Sequence, residues 1–268
     1  NHTEKENHSL FYPSVSEAFD ATSAIGALQN SSVLTSLKTR IAYATSANFP
    51  GPYTTRNTLS LDSRAFVNRD GTVAYSNAVS NRLGNPDLKP EKQAEIEVGV
   101  ESKWLNDRIG LDVTLFKRNT TDLILDRSLD PSTGYTVTNT NAGELEVRGI
   151  EIAANAVVYR ADNFTWEMNG NAGFIRNKVV DLPEGATELS IAGFSNIGNF
   201  AIEGKPYGVI QGSYLVRDEA SGKPIIDATG SFVTSNDIKI IGNPNPDWTA
   251  NDSNSFSYKG SRLSADIE

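Results

Sequence analysis

The sequence contains no cysteine, one methionine and two histidines among its 268 residues. Without cysteine there is no disulfide framework, no thiolate metal site and no thiol nucleophile. His2 and His8 both fall in a polar N-terminal stretch, which makes imidazole catalysis a poor expectation. Positive charge is also scarce. The 24 Lys and Arg face 33 Asp and Glu, and a net charge of −9 argues against a protein that wraps nucleic-acid phosphates. No apolar run approaches the ~18 residues of a membrane-crossing helix, and no signal peptide is visible. Neither a G-x-x-x-x-G-K-[S/T] loop nor a strand–G-x-G-x-x-G–helix context occurs, so no phosphate cradle and no cofactor are expected. The lone methionine is Met168, residue 1 is Asn, and the far end stops within an alternating run, Leu263–Glu268. The chain is therefore expected to be a piece of something longer.

What the sequence does have is period-two alternation, the signature of strands with unlike faces. Ala94, Ile96, Val98 and Val100 share one face while Gln93, Glu95, Glu97, Gly99 and Glu101 share the other. Ile109, Leu111, Val113 and Leu115 alternate with Gly110, Asp112, Thr114 and Phe116. Phe164, Trp166, Met168, Gly170, Ala172 and Phe174 alternate with Thr165, Glu167, Asn169, Asn171, Gly173 and Ile175. Residues 34–45 carry a similar pattern, 248–259 and 261–268 make a poorer pair, and 9–19 reads as a further strand. In 144–160 the apolar phase slips, with Leu145 and Val147 odd and Ile150 to Val158 even, which predicts a bulge near Arg148-Gly149. These runs, about ten residues each, exceed the ~5–6 of ordinary globular strands and approach the ~9–11 that cross a bilayer at a tilt.

Tight connections are expected at Leu105–Arg108, Ala161–Asn163 and Lys259-Gly260. Long ones are expected over 47–92, 121–143 and 178–247. Short turns alternating with long loops is the build of an outer-membrane barrel, whose polar face lines a lumen and whose apolar face meets lipid. The predicted fold class is thus all-β, a segment of a large antiparallel transmembrane barrel of about eight strands spanning 1–268. The alternative, a soluble β-sandwich that binds glycan through its loops, would bury the apolar face against a second sheet. Trp104, Trp166, Trp248, Tyr43, Tyr159, Phe164 and Tyr258 lie near predicted strand ends, where interfacial aromatic girdles would place them.

Several stretches carry a family resemblance. Gly84-Asn85-Pro86-Asp87-Leu88-Lys89-Pro90-Glu91, running into Glu95–Glu101, resembles a recurrent stretch of TonB-dependent outer-membrane receptors in which an extracellular loop returns to a barrel strand. Tyr12–Ser16 with Phe19, Leu37–Tyr43, and Asn141–Glu144 followed by Arg148–Glu151 are similar to the SusC/RagA-type receptors of Bacteroidetes. So are Glu203–Gly208, Gly212, Tyr214, Asp218–Pro224 and Gly242–Trp248, in family order. The resemblance implies the C-terminal part of a roughly 22-stranded barrel whose plug domain and closing strands are not in this sequence. It further implies energy-coupled import of a bulky nutrient, glycan or peptide, at the outer membrane. The implied partners are the lipid, a SusD-like surface lipoprotein and the TonB complex, reached through the plug region.

Candidate ligand contacts are loop aromatics that can stack on sugar rings, namely Tyr53, Tyr75, Tyr135, Phe194, Tyr207 and Tyr214. The alternative role for each is packing the loops on themselves. Asp218, Glu219, Asp227 and Asp237 crowd one loop and could hold calcium, though their spacing is not that of an EF-hand and a solvated acidic loop is the simpler reading. Glu95, Glu97 and Glu101 form no fixed carboxylate pair, so no glycosidase chemistry and no catalytic residue is assigned. Asn119-Thr120-Thr121 and Asn163-Phe164-Thr165 match the glycosylation acceptor pattern without functional weight.

Overall fold

The computed structural model describes residues 3–4, 7, 9–61, 66–75, 77–183, 185–194 and 197–268; His2 and His8 lie outside them. Two compact units emerge. One comprises Ser14–Ala44, Glu95–Asn119 and Leu145–Glu268; the other comprises Asn1–Pro13, Thr45–Ala94 and Thr120–Glu144.

The first unit is built on an eight-stranded sheet whose strand order follows the chain. Its strands are β1 (Ser14–Asp20), β2 (Leu34–Asn48), β3 (Glu91–Trp104), β4 (Ile109–Thr121), β5 (Glu144–Ala161), β6 (Phe164–Asp181), β7 (Thr249–Tyr258) and β8 (Ser261–Ile267). Antiparallel registers run from Ser14↔Ala44 to Asp20↔Lys38, from Phe164↔Tyr258 to Gly173↔Thr249, and from Tyr258↔Ser261 to Asp252↔Ile267. β5 and β6 each extend over 18 residues; β5 ends within one residue of its expected run, whereas β6 continues past Ile175, beyond what the alternation predicts. The first strand begins at Ser14 rather than Ser9, because Tyr12-Pro13 precedes it and proline offers no N–H to a ladder. Two four-residue helices, α1 (Ala21–Ala24) and α2 (Gly26–Gln29), join β1 to β2, the first capped by Asp20 accepting from the Ser23 N–H.

The predicted tight turns are present. Leu105, Asn106 and Asp107 all take positive φ (55°, 56° and 62°) between β3 and β4, an unusual run for residues with side chains. Backbone bonds from the Leu105 N–H to the Val33 carbonyl and from the Asn106 N–H to Thr35 Oγ1 hold it there. Lys259 (φ 43°) and Gly260 (φ 86°) turn β7 into β8.

The sheet has the expected two faces. Ile96, Val98, Val100, Ile109, Leu111 and Leu115 stand exposed on one side, so among the described residues no second sheet covers them and the sandwich alternative falls. Aromatics collect at the short-turn end: Tyr159 meets Phe164 at 5.9 Å, and Trp166 stacks on Phe256 at 5.6 Å. Tyr43 departs from expectation, lying inside β2 rather than at its end.

The bulge expected at Arg148-Gly149 is not needed. Gly149 packs under Phe116 and Gly110 under Asn155, which puts both glycines on one face. Lys117 and Arg148 both pair with Glu146, at 2.7 and 3.5 Å, on the opposite face. Alternation therefore runs unbroken from Glu146 to Asn155. The apparent slip arises because the face of β5 that carries Ile150 changes from apolar to charged at its loop end, while Leu145 lies on the other face. There Leu145 joins a small core of Val179, Leu182 and Ala201.

The segments expected as long loops are themselves folded. In the first unit Glu188–Phe194, Ile197–Ile202, Val209–Gly212 and Lys239–Gly242 form a four-stranded sheet. In the second unit Ile124–Ser128 pairs with Val137–Asn141, which also runs parallel to Arg82–Leu83. Two small hairpins, Leu59–Leu61 with Asn77–Val79 and Phe66–Val67 with Val73–Ala74, complete it.

Candidate functional site

On the inner face of the eight-stranded sheet, charged side chains reach across three strands. Arg40 of β2 donates through Nη1 and Nη2 to both oxygens of Asp112 on β4 (2.9 Å each), through Nε to Glu97 on β3 (3.2 Å), and to Thr114. Gly99 makes this possible. A Cβ there would lie 2.5 Å from the Arg40 guanidinium carbon, so only glycine lets the side chain cross β3. Arg118 pairs likewise with Glu95. Further along the same face, Glu101, Asn155, Asn169, Asn171, Asn251 and Asp266 help to line a concavity of about 610 Å³. The surface is wet, acidic and rich in amides, suited to polar groups and water and poorly suited to lipid.

In the second unit, the Gly84–Glu91 stretch folds into a clamp. Leu88 is fully buried, and Asn85 Nδ2 donates to the Asn139 carbonyl (2.8 Å). Asn141 answers from the Asn141–Glu144 motif: its Oδ1 accepts from the Lys89 N–H (2.7 Å) and its Nδ2 donates to the Lys89 and Asp122 carbonyls (2.8 and 2.9 Å). Two motifs read separately in the sequence thus hold each other. Gly84 presses against the Arg56 backbone, where a Cβ would come within 2.3 Å. Gly84→Ala is expected to destabilise this unit by about 1–2 kcal/mol, as overpacking against backbone does. Earlier proteolytic cleavage within 45–94 in the whole protein is the readout, and unchanged cleavage kinetics would refute the account.

Beside the clamp, both oxygens of Asp126 accept from Arg82, at 2.7 and 2.8 Å. The Arg82 guanidinium holds the Asp126 carboxyl below its usual range, with a smaller contribution from Asn139. A carboxylate with a lowered folded-state pKa contributes stability above its unfolded value, about 4. That contribution is lost as pH falls through the lowered value. Asp126→Asn is therefore expected to remove acid sensitivity below about pH 4 from protection of the amides of residues 124–141, measured by hydrogen exchange; an unchanged acid dependence would contradict this.

The first unit contains a second amide clamp built on the same logic. Asn177 Oδ1 accepts from the Tyr207 N–H (2.7 Å), while its Nδ2 donates to Asn245 Oδ1 (3.1 Å). Asn245 Nδ2 donates to the Tyr207 carbonyl (2.9 Å) and to Asn243 Oδ1 (2.8 Å). The Glu203–Gly208 and Gly242–Trp248 stretches are thereby fastened to the end of β6. Nothing in the spacing of Asn177 announces this role.

The six candidate aromatics divide between the units, Tyr53, Tyr75 and Tyr135 in one and Phe194, Tyr207 and Tyr214 in the other. Tyr53, Tyr75 and Phe194 are the most exposed, at 69%, 75% and 74%. Tyr135 accepts a hydrogen bond from Asn57 (3.1 Å), and the Lys239 ammonium sits 3.4 Å above the Tyr214 ring, so these two serve the loops directly. In the acidic loop, Asp218 accepts from the Ser221 N–H and hydroxyl, and Asp227 from the Thr229 and Ser231 N–H groups. These bonds lower both carboxyls and make them turn caps. Among the described residues, no three acidic or histidine side chains gather as a metal site.

Comparison with known proteins gives a consistent result. Residues 3–267 match the family described as TonB dependent receptor-like, beta-barrel. The chain is 27% identical over 95% of its length to TonB-dependent receptor P26 of Formosa agariphila, and 27% identical over 59% of its length to TonB-dependent receptor SusC of Bacteroides thetaiotaomicron. It spans only 27% and 17% of those relatives. Among solved structures, that of the RagAB peptide transporter is similar over 99% of this chain and 30% of the other, with a TM-score of 0.79 at 22% identity.

Proposed function

This chain belongs to the TonB-dependent receptor-like β-barrel family, and from that premise we propose that it forms part of the wall of an outer-membrane importer for a bulky nutrient. In this reading residues 1–268 are one section of a larger barrel, and the plug and closing strands belong to the rest of the receptor. One observation carries it: a single uncovered sheet with an apolar face on one side and a hydrated, ion-paired face on the other, its connections short at one end and long, folded and amide-clamped at the other. Such a wall separates lipid from an aqueous path.

The cargo is a glycan or a peptide, admitted beneath a SusD-like surface lipoprotein and moved by the TonB complex acting through the plug. The TonB-dependent receptors among its relatives support the energy coupling, and the fold similarity to the RagAB peptide transporter supports peptide as one cargo class. The chain supplies no catalytic step. Tyr53, Tyr75 and Phe194, the most exposed of the six candidate aromatics, are offered for stacking on cargo or lid.

Labelled oligopeptide and oligosaccharide mixtures offered to cells carrying the whole receptor test the proposal. Uptake of one of them should vanish when the proton-motive force is collapsed, and uptake indifferent to that collapse would overturn the reading. At least one of Tyr53→Ala, Tyr75→Ala and Phe194→Ala should raise the half-saturating concentration about 2- to 10-fold, and no change in any of the three would remove these aromatics from cargo contact.

A further inference from the structure

The outer face of the sheet carries an apolar groove that changes character at one end. Ile96, Leu115, Ile150 and Phe174 line it, and its volume is about 540 Å³. Lys117, Arg148 and Arg176 line it too. Each of these cations lies near the long-loop end of its strand, β4, β5 or β6. By the alternation set by Gly149 and Phe116, Lys117 and Arg148 project to the lipid side, away from the lumen.

The charges there are unevenly presented. The side chains of Lys117, Arg148 and Arg176 are 53%, 67% and 57% exposed, whereas Glu146, which Lys117 and Arg148 both contact, is 16% exposed. Glu146, the least exposed of the group, ties Lys117 and Arg148 together, and three cations against the two carboxylates Glu146 and Asp247 leave the groove rim with a net charge of +1. Arg176 is paired by the Asp247 carboxylate (2.8 Å), itself 82% exposed, and by the Asp247 carbonyl (3.0 Å), which fix its position and offset part of its charge. An acyl chain alone would have no use for three cations, and a soluble anion no use for an apolar floor. One amphiphile satisfies both.

We propose that this groove binds an acylated, phosphate-bearing lipid of the outer leaflet. Its phosphate is held by Lys117, Arg148 and Arg176, and an acyl chain lies along Ile96, Leu115, Ile150 and Phe174. Arginine gives the bidentate geometry that phosphate accepts, and lysine adds a point charge. The proposal rests on the membrane-wall reading but not on import, since none of these side chains faces the lumen.

The test uses the whole receptor purified in detergent and examined by native mass spectrometry. Wild-type receptor should retain the phosphorylated lipid and should bind its enzymatically dephosphorylated counterpart far more weakly. Lys117→Gln/Arg148→Gln/Arg176→Gln should lower retention about 100-fold, and Arg148→Lys/Arg176→Lys should restore much of it. Millimolar inorganic phosphate should not displace the lipid. Equal retention by wild type and the triple variant would overturn the proposal. So would equal binding of the dephosphorylated lipid by wild type, a comparison that needs no variant to fold. Displacement by inorganic phosphate alone would show a simple anion site, and a protein found seated on the groove would show an interface; either result also refutes it. Cargo uptake measured in the same cells keeps the outcome separate from the importer reading.

Discussion

Val113→Arg in the whole receptor is expected to cost folding about 2–4 kcal/mol, while Ala153→Arg is expected to stay within about 1 kcal/mol. The two positions sit on adjoining strands near the same height but on opposite faces. Val113 belongs to the Ile109–Leu115 stripe, of which Ile109, Leu111 and Leu115 are exposed. A guanidinium there must leave water for hydrocarbon, where no partner waits. Ala153 lines the wet concavity shared with Glu101 and Asp112, so a cation meets hydration and opposite charge. Urea titration of the receptor refolded into lipid vesicles, followed by the heat-sensitive electrophoretic shift of folded barrels, reads both. Equal effects at the two sites would mean the faces are assigned wrongly.

The second large effect concerns Arg40. Arg40→Met leaves Asp112 and Glu97 facing each other without the cation that spans them. The three side chains are each about one-third exposed (35%, 35% and 33%), so the cost falls between a surface pair and a fully buried one, about 2–3 kcal/mol. Removing the orphaned charges should recover most of it: Arg40→Met with Glu97→Gln and Asp112→Asn is expected within about 1 kcal/mol of wild type. Gly99→Val should reproduce the loss without touching a charge, because its side chain takes the space the guanidinium crosses. The same vesicle titration decides. A triple variant no better than Arg40→Met would show that the network's charges are not the cause.

How far the sequence shows this fold differs from feature to feature. The faces of β3 and β4 are plain, since Ile96/Val98/Val100 and Ile109/Leu111/Leu115 repeat every second residue and stand exposed, whereas on β6 only Met168 and Phe174 of the predicted row are exposed and Trp166 is half-buried beside Phe256. The phase of β5 misleads, because alternation reports polarity and not direction. Where the lipid-side row turns to Glu146 and Arg148, an unbroken strand looks broken. Contacts between distant residues leave no local trace. Arg40 and Asp112 lie 72 positions apart, and Gly99 is just a strand glycine until the side chain it admits is known. The loop sheets were hidden for a related reason: strands such as Val209–Gly212 have four residues, too few to show a period. The family-like stretches around Asn85, Asn141 and Asn245 mark the loop bases, while Asn177, which lies outside any such stretch, gives nothing.

The asparagine clamps have a consequence for where such a wall can work. Their bonds join neutral amides to one another and to the backbone, so neither dissolved ions nor acidity acts on them directly. The exposed pairs, such as Arg176 with Asp247, weaken as brine shortens the reach of charge. From fresh water to seawater the rims of these loops should loosen while their roots stay fixed.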